Sequence, residues 1–206
     1  MSLLSALLTG SALVTLALAR PTPLTGVAVA VLLAVGYAAD SADGQLARLR
    51  GGGTLRGEWL DHTIDCFKIA SLHLVVAISF FRAPPTGDNA VLLVPLAASV
   101  VSCGTYFGLI LMSFLRQQAY ERGAAKPAPL ESSAQGSEHP LRKWLILPAD
   151  YGFLCWTFVL LGTQPLFFYL YASVSLLAAA LLALALVKWW RELTELDAAI
   201  RQAPRP

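Results

Sequence analysis

Apolar residues fall into six long runs, roughly Leu3–Ala19, Leu24–Ala47, Leu60–Phe81, Ala90–Leu115, Leu145–Leu161 and Pro165–Val187. Each is close to the ~17–25 residues that cross a hydrocarbon core as a helix. None alternates strictly between apolar and polar residues, as a barrel strand would. The pattern therefore predicts an all-α integral membrane protein with six transmembrane helices. Arg20-Pro21-Thr22-Pro23, Ala83-Pro84-Pro85-Thr86-Gly87 and Gly162-Thr163-Gln164-Pro165 are short turn sequences between adjacent runs. The stretch from Ala119 to Lys143 is longer and rich in Ala, Pro, Ser, Gly and Glu. It reads as a flexible cytoplasmic loop inside a single membrane domain spanning residues 1–206, not as a second domain.

Composition agrees. Of 206 residues, 56% are hydrophobic and only 14% charged, against roughly 25% charged in ordinary soluble domains. That deficit argues against a soluble globule or a disordered chain, and a net charge of +2 argues against a nucleic-acid binder. Cys66, Cys103 and Cys155 are far apart in apolar surroundings, so they read as small buried hydrophobes, not as a disulfide or zinc framework.

Lys and Arg set the orientation. Twelve of them (Arg48, Arg50, Arg56, Arg116, Arg122, Lys126, Arg142, Lys143, Lys188, Arg191, Arg201 and Arg205) fall on one side if the six runs alternate, against Arg20 and Arg82 on the other. This predicts a multi-pass protein of the cell (inner or plasma) membrane with both termini cytoplasmic. Trp144, Trp189 and Trp190 sit at expected cytoplasmic boundaries, as interfacial anchors would. After Val187, Leu193, Leu196 and Ile200 recur at helical spacing among charges, which predicts an interfacial tail over 188–206. Ala17-Leu18-Ala19 resembles a signal-peptidase site, but residues 1–10 carry no Lys or Arg, which favours a retained first span.

Four acids break the apolar pattern. Asp40 and Asp43 are followed by Gly44, Ala47 and Arg48 at offsets of four, seven and eight from Asp40, which is one helical face. Beyond Gly51-Gly52-Gly53-Thr54, a second helix presents Gly57, Asp61, Asp65 and Lys68 on one face. Consecutive helices should be antiparallel, so the two acidic faces meet at the cytoplasmic end of helices 2 and 3. Each carboxylate costs ~2.5–3.5 kcal/mol near a bilayer centre, less toward the interface. Helix-end carboxylates that merely reach water are one explanation. Hard oxygen ligands for divalent metal are the other, and four acids on two aligned faces favour it. Gly44, Ala47 and Gly57 keep those faces clear of bulk, either for close helix packing or for a flat base and a pyrophosphate. Arg48 adds a fixed charge suited to phosphate oxygens.

The pattern Asp40-x2-Asp43-Gly44-x2-Ala47-Arg48-x8-Gly57-x3-Asp61-x3-Asp65 resembles the signature of the CDP-alcohol phosphotransferases at all eight defining positions over 26 residues. The resemblance implies transfer of a phosphate-linked group from a CDP-alcohol to a second alcohol, with release of CMP. It also implies two Mg2+ or Mn2+ ions and a homodimer. Carried over by position, Asp40, Asp43 and Asp61 hold the metals, and Asp65 neighbours them and is the base for the acceptor hydroxyl. Gly44, Ala47, Arg48 and Gly57 line the CDP-alcohol site. The Arg-Gly-Gly-Gly-Thr run is similar to that of phosphatidylinositol-phosphate synthases, which implies that Thr54 contacts the donor phosphates. The resemblance departs at the start of the first span, where relatives usually carry a Pro-Asn pair and a Thr and this chain has no such pair.

Other residues have plainer readings. Asp150 is either an acceptor contact or a helix N-cap. Arg116, Arg142 and Lys143 read as positive-inside residues before phosphate ligands, and Lys68 as a countercharge to the acids. His62 and His73 read as hydrogen-bonded packing residues. The expected function is phospholipid biosynthesis at the lipid bilayer, with CDP-diacylglycerol as donor and an alcohol as acceptor. The alternatives are a catalytically silent member acting as a membrane subunit, and an ion or solute transporter. A transporter predicts acids spread through the membrane depth and an internal repeat, whereas the acids cluster and no repeat is visible.

Overall fold

The computed structural model describes residues 2–49, 54–123 and 151–202, and their regular structure is entirely helical. Helix α1 is Ser2–Leu18, α2 Pro23–Leu49 and α3 Leu55–Arg82. One 3-10 turn, Asn89–Leu92, leads into α4, Leu93–Glu121. Helix α5 is Tyr151–Thr157, continued by a 3-10 turn over Phe158–Gly162, and α6 is Gln164–Gln202.

The helix ends follow local chemistry. Pro23 opens α2, where a missing N–H costs nothing. Thr54 caps α3 by accepting from the Gly57 N–H at 3.1 Å, so α3 begins at Leu55, earlier than hydrophobicity alone predicts. Asp88 accepts from the Ala90 N–H at 2.9 Å and starts the fourth segment. Gly123 follows α4 with a φ of +74°, a left-handed conformation that favours glycine at a helix C-terminus. The start of the expected 119–143 loop is thus still helical to Glu121, and 124–150 lie outside the described residues.

Length separates the helices. Pro23–Leu46, Leu55–Arg82, Asn89–Glu121 and Gln164–Gln202 are long and apolar enough to cross a membrane. Leu3–Leu18 and Tyr151–Gly162 are shorter apolar helices; the expected start of the fifth run, 145–150, lies outside the described residues. Four of the six expected spans are therefore candidates on length. Helix α6 runs unbroken through Val187 to Gln202, about 58 Å at 1.5 Å per residue. That is nearly twice a hydrocarbon core of ~30 Å.

Helix α1 packs against α2 and α3, α2 also against the fifth segment, α3 against α4, and α4 against α6. Because neighbours are antiparallel, the bundle has two chemically different ends. One end holds the core: Ala12 and Leu16, Val29 and Ala30, Leu72, Val76 and Phe80, then Phe158, Phe167 and Tyr171. Phe80 is its hub, edge-on to Phe167 at 5.9 Å, Phe168 at 5.8 Å and Tyr171 at 6.2 Å between ring centroids. Arg82 donates to the Ala17 carbonyl and ties the ends of α3 and α1 together. Midway along, the buried His73 ring joins three helices through Tyr171 Oη at 2.6 Å and Ser102 Oγ at 2.8 Å. That is the packing role its sequence position implies.

Candidate functional site

The acids gather at the opposite end. Asp40 lies two turns before the end of α2, and Asp61 and Asp65 lie on the second and third turns of α3. Their carboxylate oxygens come within 4.8 Å of one another, and all three side chains are half-buried. Twice the ~2.1 Å Mg2+–oxygen length is about 4.2 Å, so the spacing suits oxygens that share an ion. Asp43, Ala47 and Arg48 are on α2, but their side chains lie outside the described residues.

A cation already stands among these oxygens. Lys68, one turn beyond Asp65, places Nζ 2.7 Å from Asp40 Oδ1 and 3.0 Å from Asp65 Oδ1. Ser5 Oγ accepts a third bond from the same ammonium at 3.0 Å and donates to Asp40 Oδ1, also at 3.0 Å. Lys68 is 12% exposed, so its charge is held by the protein more than by water. Asp61 stands outside these ion pairs. The donor chemistry fits a divalent ion on two counts: hard oxygens at suitable spacing, and a stand-in cation between two of them.

The other expected residues are placed as follows. Gly57 sits in the exposed first turn of α3, where an added Cβ would meet, among the described residues, Thr54 Oγ1 at 3.2 Å. The Thr54 hydroxyl oxygen accepts the helix-cap bond from the Gly57 N–H, and a hydroxyl can also donate. Gly44 is half-buried on α2. Arg116 makes a bidentate pair with Glu192 at 2.6 and 2.8 Å, joining α4 to α6. Its role there is structural. Trp189, expected at the interface, is 9% exposed and packs on Gly108 of α4, whereas Trp190 is 75% exposed. Trp144, Arg142, Lys143 and Asp150 lie outside the described residues.

Two participants were missed in the sequence. Ser5 is one of many small polar residues in α1, and only the crossing of α1 with α2 and α3 brings it to Asp40 and Lys68. Tyr151 has a buried hydroxyl with no hydrogen-bond partner among the described residues. Its ring lies 5.6 Å from that of Tyr37, which precedes Asp40 by three positions on α2 and so shares its face. Among the described residues that phenol is a buried polar group whose partner is not seen.

An apolar helical bundle with long helices and a carboxylate cluster at one end is compatible with a membrane protein that handles charged groups. The family model described as CDP-alcohol phosphatidyltransferase matches residues 1–190. The chain belongs to that family, one of transferases that suggests phosphatidyl transfer in lipid synthesis. No curated protein and no solved structure gives a significant match.

Proposed function

We propose that this protein transfers a phosphatidyl group from CDP-diacylglycerol to an alcohol, releasing CMP, in phospholipid biosynthesis. The observation that carries the reading is the convergence of Asp40, Asp61 and Asp65, with carboxylate oxygens within 4.8 Å of one another, at one end of an apolar bundle. In this reading all six helices associate with the cell membrane as spans. The site faces the cytoplasm, both termini are cytoplasmic, and the protein acts as a homodimer.

Asp40, Asp43 and Asp61, with Asp65 beside them, would hold two Mg2+ or Mn2+ ions. Bound there, the ions would neutralise pyrophosphate charge and so favour CMP as leaving group. The chain's own residues supply the rest. Asp65 accepts the proton of the acceptor hydroxyl as that oxygen bonds to the β-phosphorus and the bond to CMP breaks. Arg48 and the Thr54 hydroxyl hold donor phosphate oxygens, and Gly44, Ala47 and Gly57 leave room for the cytidine. The half-buried carboxylates are within reach of a water-soluble headgroup, and the gaps between helices admit acyl chains.

The test is release of CMP from labelled CDP-diacylglycerol by the purified protein with Mg2+ and a panel of acceptors: glycerol phosphate, inositol phosphate, inositol and serine. CMP with one of them, abolished by Asp65→Asn, is the expected result. No CMP with any acceptor would overturn the assignment. The ammonium of Lys68 on the acidic oxygens favours a second reading, a catalytically silent membrane subunit, which predicts that negative outcome.

A further inference from the structure

We infer that the Lys68 ammonium is a tethered cation that closes the carboxylate cluster and is exchanged for a divalent ion when the site loads. The inference rests on the reading of Asp40, Asp61 and Asp65 as metal ligands, and concerns how that site is held before metal arrives.

Three observations carry it. First, an ammonium has three hydrogens, and all three have acceptors: Asp40 Oδ1 at 2.7 Å, Asp65 Oδ1 at 3.0 Å and Ser5 Oγ at 3.0 Å. Solvated surface lysines do not converge on three protein oxygens with the side chain 12% exposed. Second, the two carboxylates it holds are two of the three whose oxygens cluster within 4.8 Å. A divalent ion there would share an oxygen set with a positive charge at contact distance, and like charges at that range repel strongly in a half-buried site. The ion and the ammonium therefore compete for Asp40 and Asp65. Third, Lys68 reaches the cluster from α3 on a flexible four-carbon stem. The head can swing away without moving a helix, whereas Ser5 and Asp40 sit on separate helices, α1 and α2.

Exchange has a consequence for stability. Without metal, Lys68 offsets the repulsion between carboxylates and, through Ser5, fastens α1 to α2 and α3. With metal, the ion takes over that neutralisation. The displaced ammonium stays within a stem length of the site, where an incoming diphosphate is an anion it can join.

The experiment compares the wild type, Lys68→Met and Ser5→Ala in detergent micelles. Mn2+ binding is read from loss of the free-ion electron paramagnetic resonance signal, and metal-free stability from thermal melting. Lys68→Met should bind Mn2+ about tenfold more tightly, an ordinary size for coupled binding events. It should also melt lower without metal, with the gap closing as Mn2+ is added. Ser5→Ala, which keeps the charge and removes its third acceptor, should tighten Mn2+ by a smaller factor. If Lys68→Met survives only when purified with Mn2+ and is lost on chelation, exchange is supported, and Ser5→Ala then carries the affinity comparison. Wild-type Mn2+ binding that Lys68→Met or Ser5→Ala leaves unchanged or weakens overturns the exchange alone. No Mn2+ binding by any of the three proteins overturns the metal-site reading, and the exchange with it.

Discussion

Replacing Gly36 with alanine tests how the approach of α1 to α2 supports the acidic end of the bundle. A Cβ at position 36 would stand 2.8 Å from Thr9 Oγ1, 3.4 Å from the Ser5 carbonyl and 3.5 Å from Leu8 Cβ. The first contact is about 0.6 Å short of the separation at which van der Waals contact becomes ordinary. Thr9 is 2% exposed and β-branched, so its side chain has little freedom to turn away. Relief must come from α1 moving as a body. Ser5 lies one turn from Thr9 on the same face of α1. Its 3.0 Å bonds to Asp40 and Lys68 would stretch to about 3.6 Å, beyond hydrogen-bond range.

Overpacking of this kind costs ~1–3 kcal/mol, and the better helix propensity of alanine returns about 1 kcal/mol. The expected net loss is ~1 kcal/mol, measured by equilibrium unfolding in mixed micelles. Thr9→Ala in the Gly36→Ala background removes the clashing oxygen and should bring stability back to at least that of the Thr9→Ala single variant, up to ~1 kcal/mol above it. Gly36→Ala as stable as the wild type, or no rescue by Thr9→Ala, would refute the reasoning.

Tyr151→Phe deletes a buried hydroxyl that has no partner among the described residues. It should raise stability in the same unfolding assay by about 1 kcal/mol, and a loss would mean that the hydroxyl is paired. Gly108→Val drives a side chain into the Trp189 ring, which should turn out of its pocket and shift tryptophan emission to the red; an unchanged spectrum counts against that packing. Asp65→Asn should lower CMP release by ~10²–10⁴-fold, while Asp61→Asn should weaken Mn2+ binding more than Asp65→Asn does. The reverse order would exchange their roles. Arg116→Met should cost less than ~1 kcal/mol, because its pair with Glu192 is about one-third exposed. A loss of several kcal/mol in the same melts would show that the pair does more than tie two helices.

The acidic cluster was legible because helical periodicity is local. Offsets of three and four put Asp40 with Asp43 and Asp61 with Asp65 on single faces; among the described residues α2 and α3 do not pack directly but both pack on α1, and their acidic faces meet through side chains. The structure brings Asp40, Asp61 and Asp65 together, with α1 packed against both helices that carry them. Helix ends were less legible. Hydrophobic runs stop where polar residues begin, but helices stop where backbone groups find caps. Thr54 therefore starts α3 ahead of its apolar run, and α6 crosses Val187 without a break because no glycine or proline interrupts it before Ala203.

By itself, then, the sequence determined the class of the protein: an apolar helical bundle carrying an eight-residue acidic and glycine signature. Contacts between distant positions were decided only by tertiary structure. Ser5 meets Lys68 across 63 positions, Arg116 meets Glu192 across 76, and His73 meets Tyr171 across 98. No periodicity encodes such pairs. They depend on which helices cross and how closely, and that closeness is set where glycines let a neighbour in, at Gly36 beside Thr9 and at Gly108 beneath Trp189. The result is a site whose carboxylates follow from spacing along two helices, while the lysine and serine that hold them follow from how three helices pack.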